Sequence, residues 1–394
     1  MVGMPRVAVV GGSLGGLTAA LLLRDLGCEV EIFERSSAKL EARGAGIAVL
    51  EATRRYPVER LGVSVDAFCS SAGFIRFLER DGSIRHERLH PYRFSSWNAV
   101  YRVLHEAFGS EHYHLGAEMV SFESDADGVT VTFATGGSSR FDLLVCADGI
   151  TSASRETLLP AVAPRYTGYL AWRGVIPEWD VTPQTYDALY DALTYQVIPN
   201  SHILVYPIPG VDGAIEPGRR LINIVWYRNV PEEQLADILI DRTGQQRSVS
   251  VPPGLIRDEF VAEMRAFARE WLAPPIAEVV TQIQEPFVQA VFDIDVPRMA
   301  FGRVCLIGDA GFAARPHAAA GTAKAAEDGW VLAEEIARAD GDVVAALLVW
   351  EARQLAMGSA LLRRTRQIGN ASQFAGTFGP EDPQLIFGLY GPGR

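Results

Sequence analysis

The sequence predicts an α/β fold in which a parallel sheet is interleaved along the chain with a second, mixed sheet and followed by a helical C-terminal segment. Three stretches carry that expectation: RVAVVGGSLGGL from Arg6, DLLVCADGITSASR from Asp142 and GRVCLIGDAG from Gly302. Each is a short apolar run that ends in glycine or aspartate. Such runs read as buried parallel strands, and the carboxyl ends of such strands are where α/β proteins bind their ligands.

The first stretch is the most complete. Residues 6–10 read as a strand, 14–26 have helical spacing with Gly27 as a stop, and 29–33 read as a second strand ending at Glu34. Gly11 and Gly16 fill the first and third places of a G-x-G-x-x-G fingerprint, but the middle place is Ser13. Glycine is asked for where backbone must approach a pyrophosphate. Serine adds only a hydroxymethyl group whose hydroxyl is itself able to donate to a phosphate. Glu34 lies where an acid is needed to hold a ribose hydroxyl, so the unit reads as a dinucleotide site. The second and third stretches place Asp148 and Asp309 at strand ends. Taken singly, either aspartate is equally a helix cap.

Composition sets the outer limits. The chain has 394 residues, 48% hydrophobic and 21% charged, enough for one large α/β unit or two intertwined domains. Its formal net charge of −12, with no polybasic run, argues against nucleic acid or an anionic membrane surface as partner. The four cysteines, Cys28, Cys69, Cys146 and Cys305, form no C-x-x-C pair and read as reduced thiols. With no signal-peptide pattern and no membrane-length apolar run, a cytoplasmic location is expected. No metal site is expected.

The three motifs, in this order, resemble the aromatic-hydroxylase group of single-component flavoprotein monooxygenases, over most of the chain. The segments VVGGS, GYLAWRGV, YPIPG, RPHAAAGTAKA and WEARQL narrow the resemblance to members that hydroxylate dihydroxypyridines. It implies a Rossmann-like FAD-binding domain, of residues 1–72, 97–167 and 286–340, a mixed-sheet substrate domain of 73–96 and 168–285, and a C-terminal helix and tail of 341–394. It implies FAD as cofactor, NADH or NADPH as reductant and O2 as co-substrate. Hydroxylation of an electron-rich aromatic or heteroaromatic ring would then proceed through a flavin C4a-hydroperoxide. By the same resemblance Gly11, Ser13, Leu14, Gly16, Glu34 and Arg35 hold the ADP half of FAD. Gly308 and Asp309 meet the ribityl chain. Pro316, Ala320, Gly321 and Thr322 belong to the loop that reaches the flavin ring, and Asp148 and Arg155 to a motif linked to FAD and nicotinamide use. Two departures stand out. The group places an arginine three residues before a leucine on an early helix. Here Tyr101 has that spacing to Leu104, and the next residue, Arg102, is the candidate for the contact to FAD that the resemblance implies. The group's P-x-x-G-x-G loop reads Pro316-His-Ala-Ala-Ala-Gly321.

The middle of the chain reads as short strands, with an Asp81-Gly82 hairpin turn and strand-like runs at 195–207 and 220–227. Helices are expected over 320–339 and 343–368. Tyr206 and His317 are the candidate catalytic residues, the first as a partner for a substrate hydroxyl, the second as a proton relay. Core tyrosine and loop-shaping histidine are the competing readings. His202 is placed in a turn, and Arg173 is read as a structural ion-pair partner or a positioning cation. A flavin halogenase or epoxidase acting on an indole or phenol is the nearest rival, and WRGVIP from Trp172 is a near miss to the halogenase W-x-W-x-I-P. A non-oxygenase flavin-binding redox protein and a plain NAD dehydrogenase are more distant ones. The apolar tail QLIFGLYGPGR packs either on its own core or on the partner of a homodimer.

Overall fold

The structure is a computed structural model that describes residues 4–40 and 46–394. Residues 1–3 and 41–45 of the expected nucleotide unit lie outside the described residues.

Strand Arg6–Val10 forms the centre of a six-stranded sheet because its four buried residues, Val7 to Val10, are apolar on both faces. It pairs in parallel with Glu29–Glu34 on one side and Leu143–Cys146 on the other, and the latter pairs in parallel with Val304–Leu306. The carboxyl ends of all three motif strands therefore come side by side, although they lie up to 300 residues apart in the chain. Helix Leu14–Asp25 makes the crossover, with nine of its residues buried, so it is sandwiched and not merely amphipathic. It packs against helix Gly321–Arg338, where a Cβ at Gly329 would meet the backbone of Ala19 at 3.0 Å.

A nine-stranded mixed sheet faces this unit. Its centre is strands Arg165–Pro177, Leu221–Asn229, Ser201–Ile208 and Ala192–Ile198, paired antiparallel in that order. The 195–207 run is two strands and not one: Pro199 and Asn200 turn the chain, with Asn200 at φ 55°, a conformation asparagine tolerates. His202 is accordingly in a strand, not a turn. The sheet also takes in Phe287–Asp293, which pairs with Arg165–Pro177, and Gly46–Ala48, which pairs with Ile84–Ser96. Residues 287–293 and 46–48 thus pair into the mixed sheet, whereas the sequence groups them with the FAD-binding segments. Backbone pairing between segments so far apart in the chain leaves no local mark by which to divide them. The turn at Asp81-Gly82 joins Ser70–Leu78 to Ile84–Ser96.

The last helix, Val343–Asn370, leads into a tail that covers its own chain. Arg364 is buried and holds the carbonyls of Gln384, Ile386 and Gly388, while the Phe387 amide donates to the Tyr92 hydroxyl at 3.0 Å. All four cysteines are buried and free. No helix among the described residues is long and apolar enough to cross a membrane.

Candidate active site

A cavity of about 460 Å³ opens between the two sheets. Ser13, Leu14, Gly149, Gly308 and Asp309 line it from the parallel sheet, and Pro316, His317, Gly321 and Thr322 from the late loop. Arg173, His202, Tyr206, Tyr227 and Gln289 line it from the mixed sheet, and Phe378, Leu385 and Phe387 from the tail. A second hollow of about 170 Å³, around Arg80 and Trp271, holds none of the motif residues.

The glycine turn explains its own sequence. Gly11 has φ 101°, and a Cβ there would lie 2.3 Å from the Ala147 carbonyl; a Cβ at Gly16 would lie 1.9 Å from the Gly11 carbonyl. Both places admit only glycine. Ser13 is different. It is the N-cap of the first helix at φ −80°, ψ −175°, ordinary extended backbone, and its side chain makes no capping bond. The serine is tolerated because the middle place demands no left-handed backbone, and its hydroxyl is left to the cavity at the positive end of a helix.

The remaining candidates divide between the cavity and its scaffold. Glu34 is buried and accepts from the amides of Gly12 and Ser36, both at 2.9 Å, so it braces the turn. Arg35 and Arg102 are exposed and do not line the cavity. Asp148 accepts from the Ser152 hydroxyl at 2.6 Å and from the Ser154 amide and hydroxyl at 3.0 and 2.9 Å. Its carboxylate braces the start of helix Ala153–Leu158, whose N-cap is not Asp148 but Ser152, with its hydroxyl accepting from the Arg155 amide at 2.8 Å. Arg155 is fully buried and donates to the carbonyls of Ile150 and Ala310 at 2.8 and 3.3 Å. It ties the second motif to the third from behind. Ala320 is buried, and its neighbour Ala319 lines the cavity instead.

Asp309 faces the cavity and its carboxylate makes no hydrogen bond to the described residues. Enclosure raises its pKa, against the opposing charges of Lys324 and Arg155. A carboxylate so placed has its accepting capacity free for ligand hydroxyls. At Gly321, the first residue of its helix, a Cβ would meet nothing within 4 Å, so this helix end too opens on empty space. A free carboxylate, a free serine hydroxyl and two helix N-termini around one cavity fit the ribityl, pyrophosphate and ring portions of FAD.

Sequence reasoning missed what holds Gly308 and Asp309 in place. Lys324 and Asp328 form a buried ion pair at 2.8 Å on the helix after the loop. Lys324 donates to the Gly308 carbonyl at 2.6 Å and Asp328 accepts from the Gly308 amide at 2.8 Å, so the pair grips both backbone groups of one residue. The signal was present: a lysine and an aspartate four apart, at positions that share one helix face, in the helical stretch that follows the loop.

On the mixed-sheet side, Tyr206 is buried, stacks on Phe94 at 4.2 Å and donates to the Gly46 carbonyl at 2.9 Å. Burial raises its pKa, with Arg173 and Asn223 opposing. Arg173 donates to the same carbonyl at 2.8 Å and to Gln289 at 3.2 Å, and has no carboxylate partner among the described residues. The ion-pair reading of Arg173 is therefore set aside. His317 and His202 sit 5.4 Å apart between ring centroids, with Tyr227 4.7 Å from His317. Trp172 and Trp226 are core residues.

Comparison with known proteins agrees with this geometry. Residues 4–226 match a model described as an FAD binding domain, and 166–293 one described as FAD binding domain-like. The chain is 36% identical over 390 residues to 2,6-dihydroxypyridine 3-monooxygenase of Paenarthrobacter nicotinovorans, covering 98% of this chain and 96% of that one. It is 28% identical to 6-hydroxynicotinate 3-monooxygenase of Bordetella bronchiseptica, covering 84% and 82%. The solved 2,6-dihydroxypyridine-3-hydroxylase from Arthrobacter nicotinovorans superposes with a TM-score of 0.93 at 34% identity, over 99% of this chain and 98% of that one. The chain belongs to the FAD-binding family of flavoprotein monooxygenases and is an FAD-dependent aromatic hydroxylase.

Proposed function

We propose that the protein hydroxylates a dihydroxypyridine, with Tyr206 and His317 as the residues that touch the ring. The observation that carries this reading is the single cavity in which the Asp309 loop meets Tyr206, Arg173 and His317, in a chain 36% identical to a dihydroxypyridine hydroxylase. FAD, when bound, supplies the activation of O2 with electrons from NADH or NADPH. Ser13, Leu14, Gly308, Asp309, Pro316, Gly321 and Thr322 are proposed to hold it from the cavity side. Glu34, Asp148 and Arg155 are proposed to do so indirectly, by bracing the turns.

The protein's own groups then act on the ring. A phenol as deeply buried as Tyr206 stays protonated, because burial disfavours its charged form. It is therefore proposed as a hydrogen-bond partner that orients a ring hydroxyl, not as a base. The Arg173 guanidinium supplies positive charge on the same wall, where an ionised ring oxygen is stabilised. Phe378, Leu385 and Phe387 exclude water. Four buried free thiols fit a cytoplasmic setting.

The test is oxidation of NADH and of NADPH by the FAD-loaded protein in air, with and without 2,6-dihydroxypyridine, with product mass read from the same reaction. Stimulated oxidation with a product heavier by one oxygen atom is expected. No stimulation with FAD bound would remove the dihydroxypyridine assignment.

A further inference from the structure

His202 and His317 both face the cavity, and in each ring one nitrogen is already taken. Burial keeps both neutral. His202 is pushed down to about 3, and His317 falls well below its usual value, with His202 and Arg315 adding to the effect of burial. A neutral imidazole has one donor and one acceptor nitrogen, so the partner of one nitrogen decides what the other offers.

For His317 the partner is the Tyr169 hydroxyl, 2.8 Å from Nε2. Burial raises the Tyr169 pKa, so the phenol keeps its proton, and His317 Nε2 is its one hydrogen-bond partner among the described residues. The phenol proton therefore goes to Nε2, and the ring carries its own hydrogen on Nδ1. That atom is buried and has no partner among the described residues. For His202 the partners come from the turn after the last helix. Ser372 Oγ receives the Gln373 amide at 2.6 Å and lies 2.8 Å from His202 Nδ1, with Gln373 Nε2 at 3.3 Å from the same nitrogen. Nδ1 is the acceptor here, and Nε2 carries the hydrogen.

We propose that His202 and His317 form a pair of neutral N–H donors that hold acceptor oxygens of the substrate ring, with Tyr169, Ser372 and Gln373 as the positioning residues that fix their tautomers. This rests on the cavity being the ring site. It names the substrate class more closely: a ring whose oxygens are present as carbonyl or oxyanion, the form in which a hydroxypyridine is most electron-rich. A ring bearing donors at the same positions meets donor against donor and is rejected.

Tautomers are read directly from long-range 1H–15N correlation spectra of the histidine-labelled holoenzyme. The chain has seven histidines, and H202Q and H317Q assign the two signals. The expected patterns are Nδ1–H for His317 and Nε2–H for His202. Tyr169→Phe is expected to release His317 into a mixture of tautomers, and the double variant Ser372→Ala, Gln373→Met to do the same for His202. Each should raise KM about tenfold, with a smaller change in kcat, as expected for one lost hydrogen bond to substrate. Ser372→Thr should restore the wild-type pattern when Gln373 is intact.

The second arm titrates 2,6-dihydroxypyridine and 2,6-diaminopyridine into the holoenzyme without reductant, where the ring nitrogen of the latter is unprotonated, and follows the flavin absorbance. At least about tenfold weaker binding of the diamine is expected. The opposite tautomer in either wild-type histidine, or equal binding of the two rings, overturns the proposal, and the binding comparison needs no variant to fold. If turnover of dihydroxypyridine fails while both arms hold, the substrate assignment falls and the donor pair stands.

Discussion

Lys324→Met isolates the grip on Gly308. Methionine keeps the length and volume of the lysine stem but removes its charge and its donors. Asp328, with no exposed surface, then loses its counter-ion at 2.8 Å, and the Gly308 carbonyl loses its donor at 2.6 Å. Breaking a buried ion pair from one side costs about 3–5 kcal/mol, because the remaining charge stays dry, and the orphaned carbonyl adds about 1 kcal/mol. Against a typical total stability of about 5–15 kcal/mol, the variant folds but melts several degrees lower. Burial already raises the Asp328 pKa, with Lys324 opposing, so removing Lys324 raises it further. The sign of the pH dependence follows. The folded variant takes up a proton more readily than the unfolded chain, so its stability deficit shrinks as the pH falls toward the raised folded pKa. Adding Asp328→Asn keeps an acceptor for the Gly308 amide without the charge, and should recover about 2–3 kcal/mol. Chemical denaturation of all three proteins at several pH values, with FAD content measured beside it, is the assay. A loss below about 1 kcal/mol, or no recovery in the double variant, would refute the argument that this pair is dry and that its charge balance matters.

Three further outcomes follow from the same geometry. Ser13→Gly should weaken FAD binding by about 1 kcal/mol, the worth of one hydroxyl hydrogen bond, with no backbone cost because the backbone there is extended, whereas Ser13→Phe should abolish flavin binding; a fluorescence titration distinguishes the two. Ala319 sits at φ 52°, in the place where the family loop carries glycine. Left-handed backbone costs an L-residue about 1–2 kcal/mol, and the extra freedom of an unfolded glycine costs about 0.4–1 kcal/mol, so Ala319→Gly should be stabilising by about 0.5 kcal/mol in denaturant midpoints. Phe387→Ala removes a buried ring 4.9 Å from Tyr92 and enlarges the cavity; it should cost about 3 kcal/mol in stability and raise relative kcat/KM for ring-substituted hydroxypyridines over the unsubstituted ring.

What could be read in the sequence was local. The turn at Gly11, the crossover helix and the two aspartates at strand ends are each specified within a few residues, by apolar runs and backbone demands that leave a mark on residue type. What could not be read arises where distant segments meet. Asp148 and Asp309 look alike as sequence, each an acid at a strand end, yet one carboxylate is spent on Ser152 and Ser154 and the other is free in the cavity. Only the second can take up a ligand. The same holds for Arg155, which bridges motifs that are 154 residues apart and so is withdrawn from the ligand it seemed placed to meet.

The tail makes the point most fully. Residues after Asn370 carry little regular structure and no motif, so nothing in their composition marks them as part of a site. Their role comes from Arg364, whose guanidinium satisfies three tail carbonyls that would otherwise be buried without donors. Once anchored, the tail turns Phe378, Leu385 and Phe387 into cavity walls and sets Ser372 and Gln373 against His202. The cofactor half of the site is thus built from short motifs that demand particular residues. The substrate half is built from strands and a tail that meet across the whole chain, where many sequences could supply a wall of the same shape. That division explains why the flavin chemistry was legible from three short stretches, while the choice of ring depends on contacts that only the folded chain brings together.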